Sequence, residues 1–418
     1  MARTLTPVDA HNIMNLLLRQ ATGEQSLTVT DTSTFISAGE LVLATGMENV
    51  TNSVSIVMNR LIVASRAYNA RMRIVQTDEV GSYSNRARKI SFYSQNALPD
   101  GSHNTDLYTN LAAGYTSGEN GGASTKSQWE QHPAMPLEMN FAGTNVWQHC
   151  ITMYEDQLKI AFRNEEEFNR FVAGYLQEHA NDIEQEREGF YRALLLNRIG
   201  MTFDMTADMP GALVDLTTAF NSFYSTSYTK AQLLSTYLKE FSAFLTSQIK
   251  LYSDFLENRG VNYHWSVPKT VGGDTFNILR HTPKRDQRLA MYAPYFRMTE
   301  SLVLPEIFNP QYLSIENYEP VTFWQAEGTK AGINITPAII ETDPNDPAFG
   351  TQIKGSAVAE DTIIAVLFDR DAVFGELQLD RADSTPLEAR KHYRNVWNTF
   401  AKNGVNDPTE NFVVFYMS

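Results

Sequence analysis

The chain has 418 residues, of which 43% are hydrophobic and 20% charged, and a formal net charge of -14 at pH 7. That length gives about two to three domains or one large body with extensions, and the negative balance argues against a protein held to nucleic acid by phosphate contacts. The single cysteine, Cys150, excludes an intramolecular disulfide framework and a cysteine-based zinc site. The N-terminus lacks the apolar core of a signal peptide, and no run approaches the about 18 apolar residues of a membrane span, so manufacture and use in cytoplasm, with no membrane partner, is the expectation.

Taken in chain order, Ile13, Leu16, Leu17 and Leu18 suggest a short helix between Asp9 and Arg19, broken by the polar stretch Thr22 to Ser33. Between Phe35 and Arg66 the chain is mostly apolar and punctuated by glycine. There Val50, Val54, Val57 and Leu61 recur at helical spacing, so a helix starts near Glu48. From Tyr68 the texture changes. Segments 71–76 and 88–93 read as paired strands, and the Gly, Ser, Asn and Thr-rich passage from Ala97 to Lys126 is too long and polar for an ordinary internal connection. It reads either as an exposed extension or as a disordered linker between domains.

Strands follow between Met139 and Phe162, with 147–154 paired to 158–162. A long helix then begins at Asn164, a capping residue with Glu167 three positions on. Phe168, Phe171, Val172, Tyr175, His179, Ile183, Phe190 and Leu194 carry one apolar stripe to about Asn197, giving roughly 45–50 Å of helix. The acidic run Glu184 to Glu188 is its solvated face, and His179 reads as a packed, hydrogen-bonded histidine. A second long amphipathic helix spans Lys230 to Asn258, with Tyr237, Phe241, Phe244, Leu245 and Phe255 on one side and Gly260 as terminator. Beyond it, strands alternate with helices, which suggests a mixed sheet covered by helices.

The last segment is built for packing. Thr362 to Phe368 is nearly all apolar and rich in β-branched residues, a strand buried on both faces, and Asp369-Arg370-Asp371 ends it. After a polar passage containing Pro386, a strand from His392 to Phe400 sets Tyr393 and Trp397 on one face and Val396 and Phe400 on the other. The turn Asn406 to Thr409 leads into a final strand, Asn411 to Tyr416.

Chemistry is nearly absent from the pattern. There is no Walker-type loop, no Gly-x-Gly-x-x-Gly, no His-Glu-x-x-His and no Gly-x-Ser-x-Gly, so neither catalytic residues nor a cofactor site are expected. His149 beside Cys150 invites a thiolate, yet neighbours on a strand point to opposite faces. Glu341, Asp343 and Asp346 offer oxygen ligands but lack the full calcium-loop pattern, so no metal is assigned.

The order of the C-terminal segments, Ile363 to Asp371, Arg381 to Arg390, Tyr393 to Phe400 and Glu410 to Phe415, resembles the major capsid proteins of tailed double-stranded DNA phages. Their fold is the Hong Kong 97 type, and the closest likeness is to short-tailed and gut-phage members. The stretch from Phe35 to Arg66, with its Thr34 to Glu40 entry, is a second point of likeness, to their N-terminal arm. The resemblance implies an α+β fold with an N-terminal arm (1–67), an extended loop (68–136) and a peripheral domain with a spine helix (137–210). An axial domain with a central mixed sheet (211–371), return strands of the peripheral domain (372–404) and a final axial strand (405–418) complete it.

It further implies a structural subunit that self-assembles into hexamers and pentamers of an icosahedral head around double-stranded DNA that it does not read. Scaffolding protein, portal and decoration proteins are the implied partners, and the host cytoplasm the place of assembly. Arg88, Trp129, Arg381, Arg390 and Arg394 are the candidates for contacts between subunits, since charged side chains tolerate the slightly different angles of quasi-equivalent sites. The competing reading is a soluble α/β enzyme, such as a hydrolase, with scattered carboxylates and no recognisable motif.

Overall fold

In the computed structural model the described residues are 72–75, 86–94, 135–154, 165–297 and 317–418 and most of 11–44, apart from a few single positions within these spans. Residues 11–19 are helical where described. Helix α1, Thr32–Ala44, follows, with the Asp31 carboxylate accepting the Thr34 N–H at 2.8 Å as a cap. The Asn15 side chain takes the Val29 N–H at 2.8 Å and docks the first helix against the chain entering the second. The helix expected from Glu48 lies outside the described residues.

Segment 71–76 does not form the strand predicted for it. Residues Arg73–Val75 make one 3-10 turn, and Met72 sits at φ 65 because the Glu319 carboxylate captures the backbone N–H groups of both Met72 and Ile74. Two donors converging on one carboxylate bend the chain out of any ladder. Strand β1, Arg86–Phe92, pairs instead with β2, Pro136–Ala142, antiparallel. Strand β3, Thr144–Tyr154, leads towards helix α2, Glu165–Asp204. The 158–162 segment expected to pair with β3 is outside the described residues, as are the Asn164 cap and the Phe171 side chain.

At 40 residues, α2 is about 60 Å long. It continues past Asn197 because Ile199 and Met201, both buried, prolong its apolar stripe. Strand β4, Leu213–Asp215, gives way to α3, Leu216–Tyr224, capped by the Asp215 carboxylate on the Thr217 N–H.

The second long helix predicted from Lys230 is two helices. A single turn, α4, Lys230–Leu233, closed by a Thr229–Gln232 capping box, is separated by a tight turn from α5, Leu238–Glu257. The Tyr228 and Tyr237 rings stack at 4.0 Å across that turn and pin it. Phe241, Phe244 and Leu245 are buried as the stripe requires, whereas Phe255 is exposed. Gly260 does not cap the helix; Asn258 does, and Gly260 bridges to Arg280.

Short strands β5, Lys269–Val271, and β6, Asp274–Phe276, form a hairpin. Then come β7, Gln287–Tyr292, β8, Tyr318–Val321, β9, Ile333–Ile335, β10, Ala338–Ile340, β11, Gln352–Lys354, and β12, Val358–Glu360. The chain ends with β13, Ile363–Asp369, β14, Val373–Ser384, β15, Tyr393–Asn406, and β16, Phe412–Tyr416.

Two sheets organise the molecule. The larger is mixed, in the order β4-β16-β13-β7-β8, with β13 antiparallel to both neighbours and the outer pairs parallel. Strand β13 is buried at every position, as its sequence predicts. Ile363, Val366 and Phe368 face a core shared with the C-terminal half of α2 and Trp324, while Ile364, Ala365 and Leu367 face α3 and α5. A register shift between Ile363 and Ala365 lets two successive residues share a side.

The smaller sheet has the order β14-β15-β3, all antiparallel. Strand β14 occupies much of the passage that reads as a polar bend, because its run from Val373 to Ser384 is held by backbone pairing with the neighbouring strand β15. Helix α2 lies on this sheet at a seat made by two glycines paired across it, Gly375 and Gly404. A Cβ at Gly375 would strike the Tyr191 ring, and one at Gly404 would strike Leu194.

Two outcomes check this packing. Phe241→Ala, at a ring 1% exposed, is expected to cost about 3–5 kcal/mol, and Phe190→Ala, at a half-buried ring, distinctly less; denaturant melts measure both. Gly375→Ala should cost about 1–3 kcal/mol through overpacking, because the buried Tyr191 ring cannot swing aside.

Candidate functional site

The turn between β15 and β16 is where charged side chains converge from four parts of the chain. Asp407, Pro408 and Thr409 follow the sequence pattern of a turn, and the Asp407 carboxylate accepts the Thr409 N–H at 2.8 Å and its hydroxyl at 2.7 Å. The Lys89 ammonium, on β1, bonds both Asp407 and Glu410 and reaches the Thr409 hydroxyl at 3.2 Å. Arg280 lies 3.0 Å from Glu410 and donates to the Thr409 carbonyl at 3.1 Å. Arg198, fully buried on α2, donates to the Glu410 carbonyl at 3.2 Å and stacks over the Phe412 ring at 4.8 Å.

Burial pulls the Arg198 guanidinium down to about 10 and pushes the Glu410 carboxyl up, the latter opposed by Lys89 and Arg280. The Trp265 N–H donates to the Pro408 carbonyl at 2.8 Å, completing the enclosure. None of Lys89, Arg198 or Arg280 is a sequence-predicted site residue. Arg198 alone carries a signal: it interrupts the stripe Tyr191, Leu195, Ile199, Met201 with a charge, which on a buried face requires partners.

The five predicted contact residues are scattered. Arg88 is exposed on the outer face of β1 and pairs with Glu138 at 2.6 Å. Arg381 is exposed on β14 and pairs with Asp383 at 2.7 Å. Arg390 is exposed in the turn before β15. Trp129 lies outside the described residues. Arg394 is a correction: it is 3% exposed, since strand alternation puts it with Val396 and Asn398 on the face that packs under α2, and it is not available as a surface charge.

Other singled-out residues have local roles. His149 faces α2, where its ring meets His179, and Cys150 is the next residue on the strand, with burial raising its thiol pKa. Asp369 is buried, accepts the Thr282 hydroxyl at 2.7 Å, and has its pKa raised by that burial. Glu341, Asp343 and Asp346 turn their carboxylates on backbone N–H groups two residues ahead, at 3.0, 2.8 and 2.7 Å, which builds a self-closed loop. Among the described residues no group of three or more His, Cys, Asp or Glu is placed to hold a metal ion, and no helix is long and apolar enough to cross a membrane.

The arrangement is therefore one of joints and surfaces, with its polar groups spent on holding strands together. Residues 141–416 match the sequence model of a family described as Phi29-like phage major capsid protein. The chain belongs to that family. It is a major capsid protein, a structural subunit of a tailed-phage virion and not an enzyme.

Solved structures agree on the fold. A chain from the capsid structure of Staphylococcus phage Andhra is 10% identical, with a TM-score of 0.50 over 84% of this chain and 85% of that one. A chain from a structure titled head fiber and inner core protein gp22 of native bacteriophage P68 is 9% identical, with a TM-score of 0.50 over 81% and 83%. The capsid protein has the α+β Hong Kong 97 type fold. Among curated proteins no sequence match is found.

Lys89→Met tests the joint. It strands the buried Asp407 carboxylate, and because Lys89 is itself one-quarter exposed the loss should fall below the about 3–5 kcal/mol of a fully buried pair. A melt shifted by less than the Arg88→Met control, whose partner is exposed, would mean that Asp407 is held by Thr409 alone.

Proposed function

We propose that the capsid protein forms hexamers and pentamers of an icosahedral head that encloses double-stranded DNA, assembled in the host cytoplasm. The observation that carries this reading is the family match across 141–416. The proposed division assigns residues 1–67 to an N-terminal arm, 68–136 to an extended loop, 137–210 and 372–404 to a peripheral domain, and 211–371 with 405–418 to an axial domain. The three-stranded sheet seated on α2 supports the peripheral assignment, and the five-stranded sheet with its own helical cores supports the axial one. The β1–β2 ribbon, fastened through Lys89, supports a loop that leaves the body from a fixed base.

Scaffolding protein, portal and decoration proteins complete the proposed partners. The net charge of -14 suits a wall that encloses DNA without gripping it. Association proceeds through many weak contacts, each reversible during growth and jointly stable once the shell closes.

Arg88, Trp129, Arg381 and Arg390 remain the proposed contacts between copies. The three arginines are exposed, and rim charges act mainly on specificity and encounter. Expression of the chain with its neighbouring gene products, followed by electron microscopy, tests the reading: closed shells are expected, and a monodisperse monomer in every combination overturns it. Arg390→Glu should leave the melting curve of the subunit unchanged while reducing shell yield, with wild-type assembly itself weaker at high salt. Shells formed at parental yield would remove Arg390 from the contact.

A further inference from the structure

The long helix meets the three-stranded sheet through an unbroken row of polar atoms. His149 on β3 and His179 on α2 face each other, Nδ1 to Nδ1, at 2.9 Å. The other ring nitrogen of His149 lies 3.1 Å from the Asp182 carboxylate, and that of His179 lies 2.6 Å from the Asn398 amide nitrogen on β15. A neutral imidazole has one N–H and one lone pair, so the two Nδ1 atoms bond only if one donates and the other accepts. The amide nitrogen of Asn398 donates, which makes His179 Nε2 an acceptor and puts the His179 proton on Nδ1. His149 Nδ1 then accepts, and its own proton, on Nε2, goes to Asp182. This single set of tautomers satisfies every atom in the row.

A second satisfied set holds one proton more. A charged His149 donates from Nδ1 to His179 Nδ1 and from Nε2 to Asp182; the His179 proton moves to Nε2, and Asn398 turns its amide so that the oxygen accepts. The same extra proton can also sit on His179, which then donates to His149 Nδ1 and to the turned Asn398 oxygen while His149 keeps its bond to Asp182; no satisfied set holds two protons more. With both rings charged, two N–H groups meet head-on at 2.9 Å. The first proton can enter from solvent, since the His149 side chain is 21% exposed and that of Asp182 41%, whereas His179 is buried. Among the described side chains, the charged groups around the row are Asp182 and, at the rim, Glu178 on α2, and Arg394, buried on the same face of the sheet. Arg381 and Asp383 of β14 are exposed and pair with each other.

We propose that this row is a one-proton buffer in the joint between the long helix and the sheet: the joint survives the first proton and opens on the second. The proposal rests on the geometry of the subunit and not on how copies assemble. Burial, with the His149 charge second, lowers the His179 pKa from 6.5 to about 4. The unfolded chain therefore holds more protons between those values, and stability falls as pH drops from about 6.5 to about 4, then levels off. One ring contributes about a tenfold loss in the folded-to-unfolded ratio per pH unit inside that window. Buried His264, which donates towards the Ile278 carbonyl, has its pKa lowered to about 4 as well and adds the same slope.

Nitrogen-15 histidine NMR on the full-length subunit tests the row directly. At neutral pH, His179 is expected as the Nδ1–H tautomer and His149 as the Nε2–H tautomer, with scalar coupling between the two Nδ1 atoms. His179 carrying its proton on Nε2 at neutral pH, without coupling, overturns the proposal. Denaturant melts between pH 6.5 and 4 give the second readout. His179→Gln should remove one ring's slope and leave that of His264; a slope equal to wild type overturns the proposal. If His179→Gln does not fold, His149→Gln replaces it, since glutamine can accept from His179 and donate to Asp182 but cannot charge. The acid end of the window should then move to higher pH, because the His149 charge no longer opposes the proton on His179, and an unmoved end has the same negative meaning.

Discussion

The placement of Asp407 and Glu410 fixes how the two sheets stand to each other. The turn they occupy connects β15, the middle strand of the small sheet, to β16, an interior strand of the large one, so any freedom there would move half the molecule against the other half. Backbone hydrogen bonds alone cannot hold a turn against rigid-body rotation. Three cations approaching from β1, α2 and the segment before β7 can, because each restrains a different direction. The cost is desolvation of at least two carboxylates and a guanidinium, offset for the carboxylates by Lys89, Arg280 and the Thr409 donors and for Arg198 only in part, since its Nε is buried without a partner. Specificity of arrangement, more than stability, is what such a cluster provides.

Helix α2 depends on the same region for its position. Its C-terminal half belongs to the core of the large sheet, through Leu195, Ile199 and neighbours, and the same half rests on the small sheet at the paired glycines, through Tyr191 and Leu194. One rigid element therefore spans both bodies. Arg198 stands on the helix at the crossing between them, which explains why a charge is tolerated in a stripe that is otherwise apolar. The polar row of His149, His179 and Asn398 lies further towards the N-terminal end, where the helix passes over the small sheet.

Much of this was legible in the residues. Strand β13 announces itself by composition, the turn at Asn406 to Thr409 by its Asp-Pro pair, and α2 by a stripe long enough to survive one misplaced end. The order of the last segments also led to the correct fold family. What escaped detection has a common cause. Strand β14 draws its stability from pairing with β15, the 3-10 turn at 73–75 from a carboxylate 245 residues away, and the break before α5 is pinned by a stack of two tyrosines nine residues apart; none of these partners shows in the segment's own hydrophobic period. Arg394 shows the reverse error: its charge suggests a surface, but the alternation that correctly separates Trp397 from Val396 already puts Arg394 on the inner side. The inter-subunit residues carry the weakest signal, since an exposed arginine on one chain looks the same whether or not a neighbour will cover it.

The loop from Glu341 to Thr351 has a use beyond its place in the fold. Its ends are tied by the Gly350 N–H on the Glu341 carbonyl at 2.8 Å and the Glu341 N–H on the Thr351 carbonyl at 3.0 Å, and the β10–β11 ladder continues directly beneath. Its tip, at Asn345 and Asp346, is exposed and makes its hydrogen bonds within the loop. Foreign sequence spliced in at the tip would lengthen a closed circuit without disturbing the strands that close it, and each doubling of such a loop costs only about 0.6 kcal/mol. The subunit thus carries a natural insertion port, anchored by Phe349 against Trp265 but with its tip clear of the core, through which a peptide could be repeated once per copy.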